Sequence, residues 1–151
     1  MPTVSSRADL VVQSSDGDIV ALVEVKNAEQ LTPELTAAFR RNLVVHGALK
    51  WWTPFFLLVS QNVGFLWDQR GSIPPGALPS VEFSMRPIVR RYVPWLADGE
   101  WLREPQLNSV VTQWLSELAE GSGARVHDEA LAQTGLLEML KGGWIGVEVE
   151  L

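Results

Sequence analysis

The pattern of apolar and polar residues near the start of the chain predicts a β-hairpin. Residues 7–27 read RADLVVQSSDGDIVALVEVKN, with an apolar run on each side of Asp16-Gly17. This dipeptide suits the type I′ turn of a two-residue hairpin loop, in which both loop residues need a positive φ angle. Counting back from that turn, we expect Asp9 to lie opposite Glu24, with Lys26 on the same face as Glu24.

After the hairpin, the pattern changes to a helical period and then to a buried strand. Thr32 and Pro33 predict the start of a helix that continues to about residue 49. The apolar run at residues 54–60, PFFLLVS, is typical of a central strand buried on both faces, and it should run parallel to the strand ending at Lys26. A turn then leads into a further strand, VGFLWD. The apolar stripe predicted for the helix comprises Leu35, Ala38, Phe39, Leu43, His46 and Leu49.

The second half of the chain has mainly helical patterns. The patterns predict a short strand at residues 81–85, helices at 87–95 and 105–120, a helical stretch at 128–141 that bends near Gly135, and a final alternating strand. Neither a linker nor an internal repeat divides the sequence. We therefore predict one domain, residues 1–151, with a sheet core in residues 1–70 and a mainly helical completion in 71–151.

Composition excludes several classes of protein. The chain has 151 residues and no cysteine, so disulfides and thiolate metal sites are excluded. No stretch reaches the ~18 apolar residues of a membrane span, and we expect a cytoplasmic protein without a membrane partner. The net charge of −6 disfavours binding of nucleic acid through a general positive field. Residues 1–100 nevertheless carry nine basic and ten acidic side chains, so most of the acidic excess lies in the C-terminal third.

The predicted pairing of Asp9 with Glu24 indicates candidate chemistry. Two carboxylates directly opposite each other lie roughly 5 Å apart at Cβ and repel. A divalent cation between them would reverse that repulsion, since hard cations bind carboxylate oxygens. The alternative is an exposed hairpin face on which both carboxylates are solvated. The apolar runs around them, LVV and IVALV, favour burial.

These residues resemble the signature of a known nuclease superfamily. Asp9, followed by Glu24-Val25-Lys26 at the end of an apolar strand, is similar to the PD-(D/E)XK, or restriction-endonuclease-like, motif. The runs VEVK, RRNL, HG, FLLV and FLWD resemble uncharacterised small bacterial members, over about residues 7–68. The resemblance implies an α/β core of antiparallel hairpin, helix, parallel central strand and further strand. The family's usual first helix, which often adds an acidic ligand, has no counterpart before Asp9.

The resemblance also implies a function. It implies that the protein is a Mg²⁺-dependent nuclease that hydrolyses phosphodiester bonds in DNA, with Mn²⁺ as an alternative ion. Asp9, Glu24 and the backbone carbonyl of Val25 would bind the ion. Lys26 would position the attacking water or stabilise negative charge, because neighbouring carboxylates favour its charged form over a role as base. The alternative is a catalytically silent module of the same fold that binds a protein partner or a second copy of itself.

Several polar residues are candidates for contacting nucleic acid. Some nuclease branches place a glutamine shortly after the motif lysine, and the helix after that strand often flanks the site. The densest basic group of the chain lies further on, near residue 90. Each residue is equally consistent with a solvated helix face. The candidates are Gln30, Arg40, Arg41, Arg86, Arg90 and Arg91.

Overall fold

The computed structural model describes residues 7–121 and 128–150, which form an α/β fold. Within these residues a six-stranded mixed sheet is combined with five helices. The strands are β1 (Arg7–Gln13), β2 (Ile19–Val25), β3 (Phe55–Val59), β4 (Val63–Asp68), β5 (Val81–Ser84) and β6 (Trp144–Glu150). The helices are α1 (Pro33–Val45), α2 (Arg86–Tyr92), α3 (Glu104–Ala119), α4 (Glu129–Thr134) and α5 (Leu136–Leu140).

The sheet has the strand order β5-β4-β3-β2-β1-β6. The pair β2 and β3 is parallel, and the neighbouring pairs are antiparallel. The predicted succession of hairpin, helix, parallel central strand and further strand is confirmed. All five residues of β3 are buried, because this strand lies inside the sheet and both its faces are covered.

Two apolar layers cover the two faces of the sheet. On one face, α2 to α5 pack on β1 to β4 in a large cluster that contains the fully buried Trp114. On the other face, α1 covers a smaller cluster that contains the fully buried Trp67. Burial of such large side chains is the main favourable term in folding. No helix in the described part of the chain is long and apolar enough to cross a bilayer.

The predicted buried stripe of α1 is wrong by about one residue. Leu35, predicted to be buried, has 57% of its surface exposed, whereas Thr36, Ala37 and Arg40 are buried. Phe39 and the following apolar residues still contact the smaller cluster at its margin. The buried face of α1 differs from the predicted one because Arg40 points inward to polar partners, which the periodicity of the sequence does not reveal.

The predicted hairpin turn is also wrong, although the strand pairing it implied is correct. The Ser14 carbonyl accepts a hydrogen bond from Gly17 N–H at 2.9 Å, and Ser14 N–H donates to the Asp18 carbonyl at 2.8 Å. Only Gly17, at φ +88°, has a positive φ angle in this loop. The turn therefore has a three-residue loop closed by a left-handed glycine. A bulge then adds Val20 to β2, since Gln13 pairs with Ile19 but Val12 pairs with Ala21.

Candidate functional site

The candidate site lies at the open end of the hairpin, where β1 and β2 separate. Leu10 pairs with Val23 in this register, which places Asp9 opposite Glu24. Asp9 Oδ2 accepts a hydrogen bond from the Val25 backbone N–H at 2.8 Å. The carboxylate thus takes the place of a backbone acceptor at the end of the ladder, and this bond holds Asp9 beside the β2 strand end.

Glu24 is a partly buried carboxyl group beside a like charge. Burial, followed by the charge of Asp9 and a hydrogen bond with Asp9, raises the pKa of Glu24 from its ordinary value of 4.5 to about 8. The charge of Lys26 acts in the opposite direction but is the smaller influence. In the absence of a cation, Glu24 therefore holds a proton at neutral pH. Strongly shifted pKa values cluster at functional sites, which makes Glu24 a candidate functional residue.

Lys26 lies at the same strand end, two residues after Glu24. Its backbone N–H donates to the Val59 carbonyl of β3 at 2.8 Å, so its position is set by the parallel pairing. The side chain is exposed, and Nζ lies 4.8 Å from the centre of the Phe39 ring of α1. This cation–π contact keeps the ammonium group on the α1 side of the strand end.

A third carboxylate, which sequence reasoning missed, lies near this pair. Glu104 begins α3, and its charge also raises the pKa of Glu24. The sequence separates the two residues by a long interval of strands and helices. Pro105 and the acidic first turn indicate a helix start, but nothing local predicts where that start packs.

Side-chain hydrogen bonds hold the segment before α3 against the strand ends. Asn27 Nδ2 donates to the Leu102 carbonyl, and Asn27 Oδ1 accepts from Gln61 N–H at 3.3 Å. The buried Gln61 side chain accepts from Leu102 N–H and donates to the Glu100 carbonyl, each at 2.7 Å. These contacts connect the residue after Lys26 with the β3–β4 turn and place Glu104 near Glu24.

The predicted nucleic-acid candidates on and before α1 separate into two kinds. Gln30 and Arg41 are exposed. Arg40 is 1% exposed and donates to Gln69 Oε1 at 2.7 and 3.0 Å and to the carbonyls of Pro74 and Pro75 at 2.9 Å. It is therefore held inside the fold, where groups of the chain itself occupy its donors.

The three arginines of α2 also differ in exposure. Arg86 and Arg90 are half-exposed, and both donate to Asp98 Oδ1. Arg91 is 14% exposed at its side chain and pairs with the fully buried Asp128 at 3.3 Å. The structure thus uses Arg91 within the core and leaves Arg86 and Arg90 at the surface.

The residues at the strand end fit a divalent cation in their donor chemistry. Two carboxylates lie side by side, and burial makes their joint ionisation unfavourable unless a positive charge is supplied. The Val25 carbonyl points to the same side as its N–H, toward Asp9. Within residues 7–121 and 128–150, no three His, Cys, Asp or Glu side chains form a group able to hold a metal ion. Mg²⁺, however, commonly binds one or two carboxylates and retains water or substrate phosphate as its other ligands.

Comparisons of the chain with protein-family models, curated proteins and solved structures found no match. The resemblance to the PD-(D/E)XK superfamily thus rests on the motif residues and on the order and pairing of the strands that carry them.

Proposed function

We propose that this protein is a Mg²⁺-dependent nuclease that hydrolyses phosphodiester bonds in DNA at the site formed by Asp9, Glu24 and Lys26. The observation that supports this most strongly is the placement of two carboxylates opposite each other in a partly buried position, with the pKa of Glu24 raised to about 8. A fold that needed no cation there would gain stability by replacing one of the two carboxylates.

Each of the three side chains has a role that follows from its position. Asp9 and Glu24, with the Val25 carbonyl, would hold the ion at the strand ends. A bound divalent cation supplies a lowered pKa for the attacking water and neutralises charge in the transition state. Lys26, whose ammonium group is exposed beside Phe39, orients the water or donates to a phosphate oxygen. Asn27 fixes the strand end by its contacts with Leu102 and Gln61.

A second candidate function is a binding module that keeps the fold without catalysis. The observation that favours it is that no group of three potential ligand side chains occurs among the described residues. Exposed tryptophans at the hairpin end of the sheet, Trp51 and Trp52, would suit a protein partner or a second copy of the chain. Under this alternative, the Asp9–Glu24 pair would bind no divalent ion.

The test is cleavage of single- and double-stranded DNA in the presence of Mg²⁺ or Mn²⁺. We expect Asp9→Asn, Glu24→Gln and Lys26→Gln each to reduce the rate by at least ~10²-fold, because each removes a charge that acts on the transition state. Asp9→Asn and Glu24→Gln keep the side-chain shape, whereas Lys26→Gln replaces the ammonium group with a neutral amide on a shorter side chain. Asn at position 9 can still accept the Val25 hydrogen bond.

Two exposed residues, one on α5 and one at its C-terminal cap, provide matched controls. Glu138→Gln and Lys141→Gln make the same chemical changes in a surface ion pair, and we expect wild-type rates from both. Equal cleavage by the wild type and the three site variants would refute the proposal. A folded wild type that cleaves neither DNA form and binds no divalent ion would favour the binding module.

A further inference from the structure

A small cleft beside the candidate site has the features of a phosphate-binding pocket. It has a volume of about 260 Å³ and lies between the β3–β4 turn, α2 and the loop before α3. Its walls include Gln61, Asn62, Arg86, Arg90 and Trp101. The cleft therefore combines two guanidinium groups with an indole ring.

The two arginines of this cleft converge on a single oxygen atom. Arg86 Nη2 lies 3.0 Å from Asp98 Oδ1, and Arg90 Nη2 donates to the same oxygen. The Asp98 side chain is 81% exposed, so water competes with both contacts and each stabilises the fold little. Glu100, an acidic residue of the cleft wall, accepts a hydrogen bond from Ala97 N–H at 3.0 Å through its carboxylate. Two converging guanidinium groups are a better match for the several oxygens of a phosphate than for one exposed carboxylate oxygen.

The cleft is joined to the candidate catalytic strand by direct contacts. Gln61 lines the cleft, and its backbone N–H donates to Asn27, the residue after Lys26. Because β2 and β3 are parallel neighbours, their C-terminal ends lie at the same edge of the sheet. A nucleic acid strand that crosses this edge would meet Lys26 first and the arginines next. Trp101, partly exposed in the cleft wall, offers a surface on which a base can stack.

We propose that Arg86 and Arg90 bind a backbone phosphate of a single-stranded oligonucleotide, with Trp101 against a neighbouring base, and that Asp98 occupies the phosphate position when no nucleic acid is bound. The proposal rests on the proposed nuclease function, since it names how that substrate is held next to the site. Asp98 then acts as an internal competitor that the incoming phosphate displaces.

The experiment measures binding without catalysis. A fluorescein-labelled oligothymidylate is titrated by anisotropy with protein that carries Glu24→Gln, in EDTA and over a series of sodium chloride concentrations. We expect Asp98→Asn to tighten binding by about threefold, because it frees both arginines from a weak surface ion pair. We expect Arg90→Gln to weaken binding by about threefold and to reduce the slope of log K against log salt by about 0.7, the loss of one phosphate contact.

Matched controls separate this pocket from a general effect of charge. Glu138→Gln and Lys141→Gln alter an exposed ion pair at the C-terminal end of α5 with the same changes in charge, and both should leave affinity and salt slope unchanged. Trp101→Leu should weaken binding of the oligonucleotide without altering the slope of log K against log salt, since stacking releases no counterions.

The proposal would be overturned by an absence of oligonucleotide binding, by equal binding of the wild type and Arg90→Gln, or by a gain in Asp98→Asn that Glu138→Gln reproduces. Competition by inorganic phosphate as strong as that by unlabelled oligonucleotide would also overturn it, because the pocket would then bind a small anion alone. The binding measurement contains no divalent ion and uses a variant impaired in cleavage. Its outcome therefore does not depend on whether the wild type cleaves DNA, and the two proposals can fail separately.

Discussion

Two charged groups inside this protein, Arg40 and Glu24, have opposite surroundings. Arg40 is 1% exposed, and its guanidinium donates to Gln69 and to two backbone carbonyls of the loop after β4. Glu24 is partly buried, and the neighbouring charge that shifts its pKa most is that of Asp9, a carboxylate of the same sign. The first group has its hydrogen-bonding capacity met within the fold. The ionised form of the second is disfavoured by burial and by the charge of Asp9.

This difference separates a structural charge from a candidate functional one. Arg40 fastens α1 to the loop that contains Pro74 and Pro75, and its loss would leave several buried acceptors unpaired. Glu24 raises the free energy of the folded state when it is ionised, and the proposed cation would neutralise that charge. The comparison therefore predicts that replacing Arg40 lowers the free energy of unfolding, whereas replacing Glu24 raises it.

The largest expected effect is the loss of the Arg40 network. Arg40→Met keeps much of the side-chain volume but removes all the donors, and we expect it to lower the free energy of unfolding by about 3 kcal/mol. Urea denaturation followed by circular dichroism measures this value. The neighbouring exposed residue provides the control: Arg41→Met should change stability by less than ~0.5 kcal/mol. Equal effects of the two substitutions would show that the Arg40 contacts contribute little.

The second effect has the opposite sign and depends on pH. The pKa of Glu24 is raised from 4.5 to about 8, so between these values the folded state binds more protons than the unfolded state. Stability therefore falls as pH rises through this window, and the loss is complete above the upper value. Glu24→Gln removes this penalty, and we expect it to stabilise the protein by ~2 kcal/mol above that pH while changing little near pH 4.5.

Urea unfolding of wild type and Glu24→Gln over a series of pH values tests this sign. Glu138→Gln, on the surface of α5, should show the wild-type dependence. A Glu24→Gln variant that is destabilised at high pH would contradict the account, because it would mean that the ionised carboxylate stabilises the fold.

A smaller effect concerns the carboxylate that α3 brings to the site. The charge of Glu104 contributes to the raised pKa of Glu24, so Glu104→Gln should lower that pKa by less than the loss of the Asp9 charge in Asp9→Asn. NMR titration with a ¹³C label on the glutamate side chains measures both. A pKa of Glu24 that is identical in wild type and Glu104→Gln would show that the start of α3 does not act on the site.

The smallest effect concerns the position of Lys26. Its ammonium group lies 4.8 Å from the centre of the Phe39 ring, and exposed cation–π contacts stabilise by about 0.5 kcal/mol. A double-mutant cycle with Lys26→Met and Phe39→Leu, measured by urea unfolding, should give a coupling energy of this size. Additive effects of the two substitutions would show that Phe39 does not hold Lys26.

The hairpin shows how a correct strand pairing can follow from an incorrect turn. The Asp16-Gly17 dipeptide predicted a two-residue turn, but the loop has three residues and changes the register by one. The bulge at Val20 changes it back, so Asp9 still lies opposite Glu24. Both faces of these strands are buried, with Leu10 in the larger cluster and Val11 in the smaller one. A slip of one residue would exchange the side chains of the two layers, so the packing of both layers selects the final pairing.

Other features could not be predicted because they depend on contacts between distant segments. The inward direction of Arg40 depends on Gln69 and on a loop more than thirty residues away. The approach of Glu104 to Glu24 depends on Asn27 and Gln61, which hold the segment before α3. Local periodicity predicts helices and strands, whereas these polar contacts form only after the layers have packed.

The most direct test of the central claim is calorimetry of Mg²⁺ and Mn²⁺ binding near neutral pH in buffers of different ionisation enthalpy. With a pKa of about 8, Glu24 is mostly protonated there, so binding at the Asp9–Glu24 pair should release a proton and the measured heat should vary with the buffer. We expect this binding in wild type and Glu138→Gln and its loss in Asp9→Asn and Glu24→Gln. A wild type that binds neither ion, or site variants that bind as wild type does, would contradict the claim that these carboxylates form a metal site.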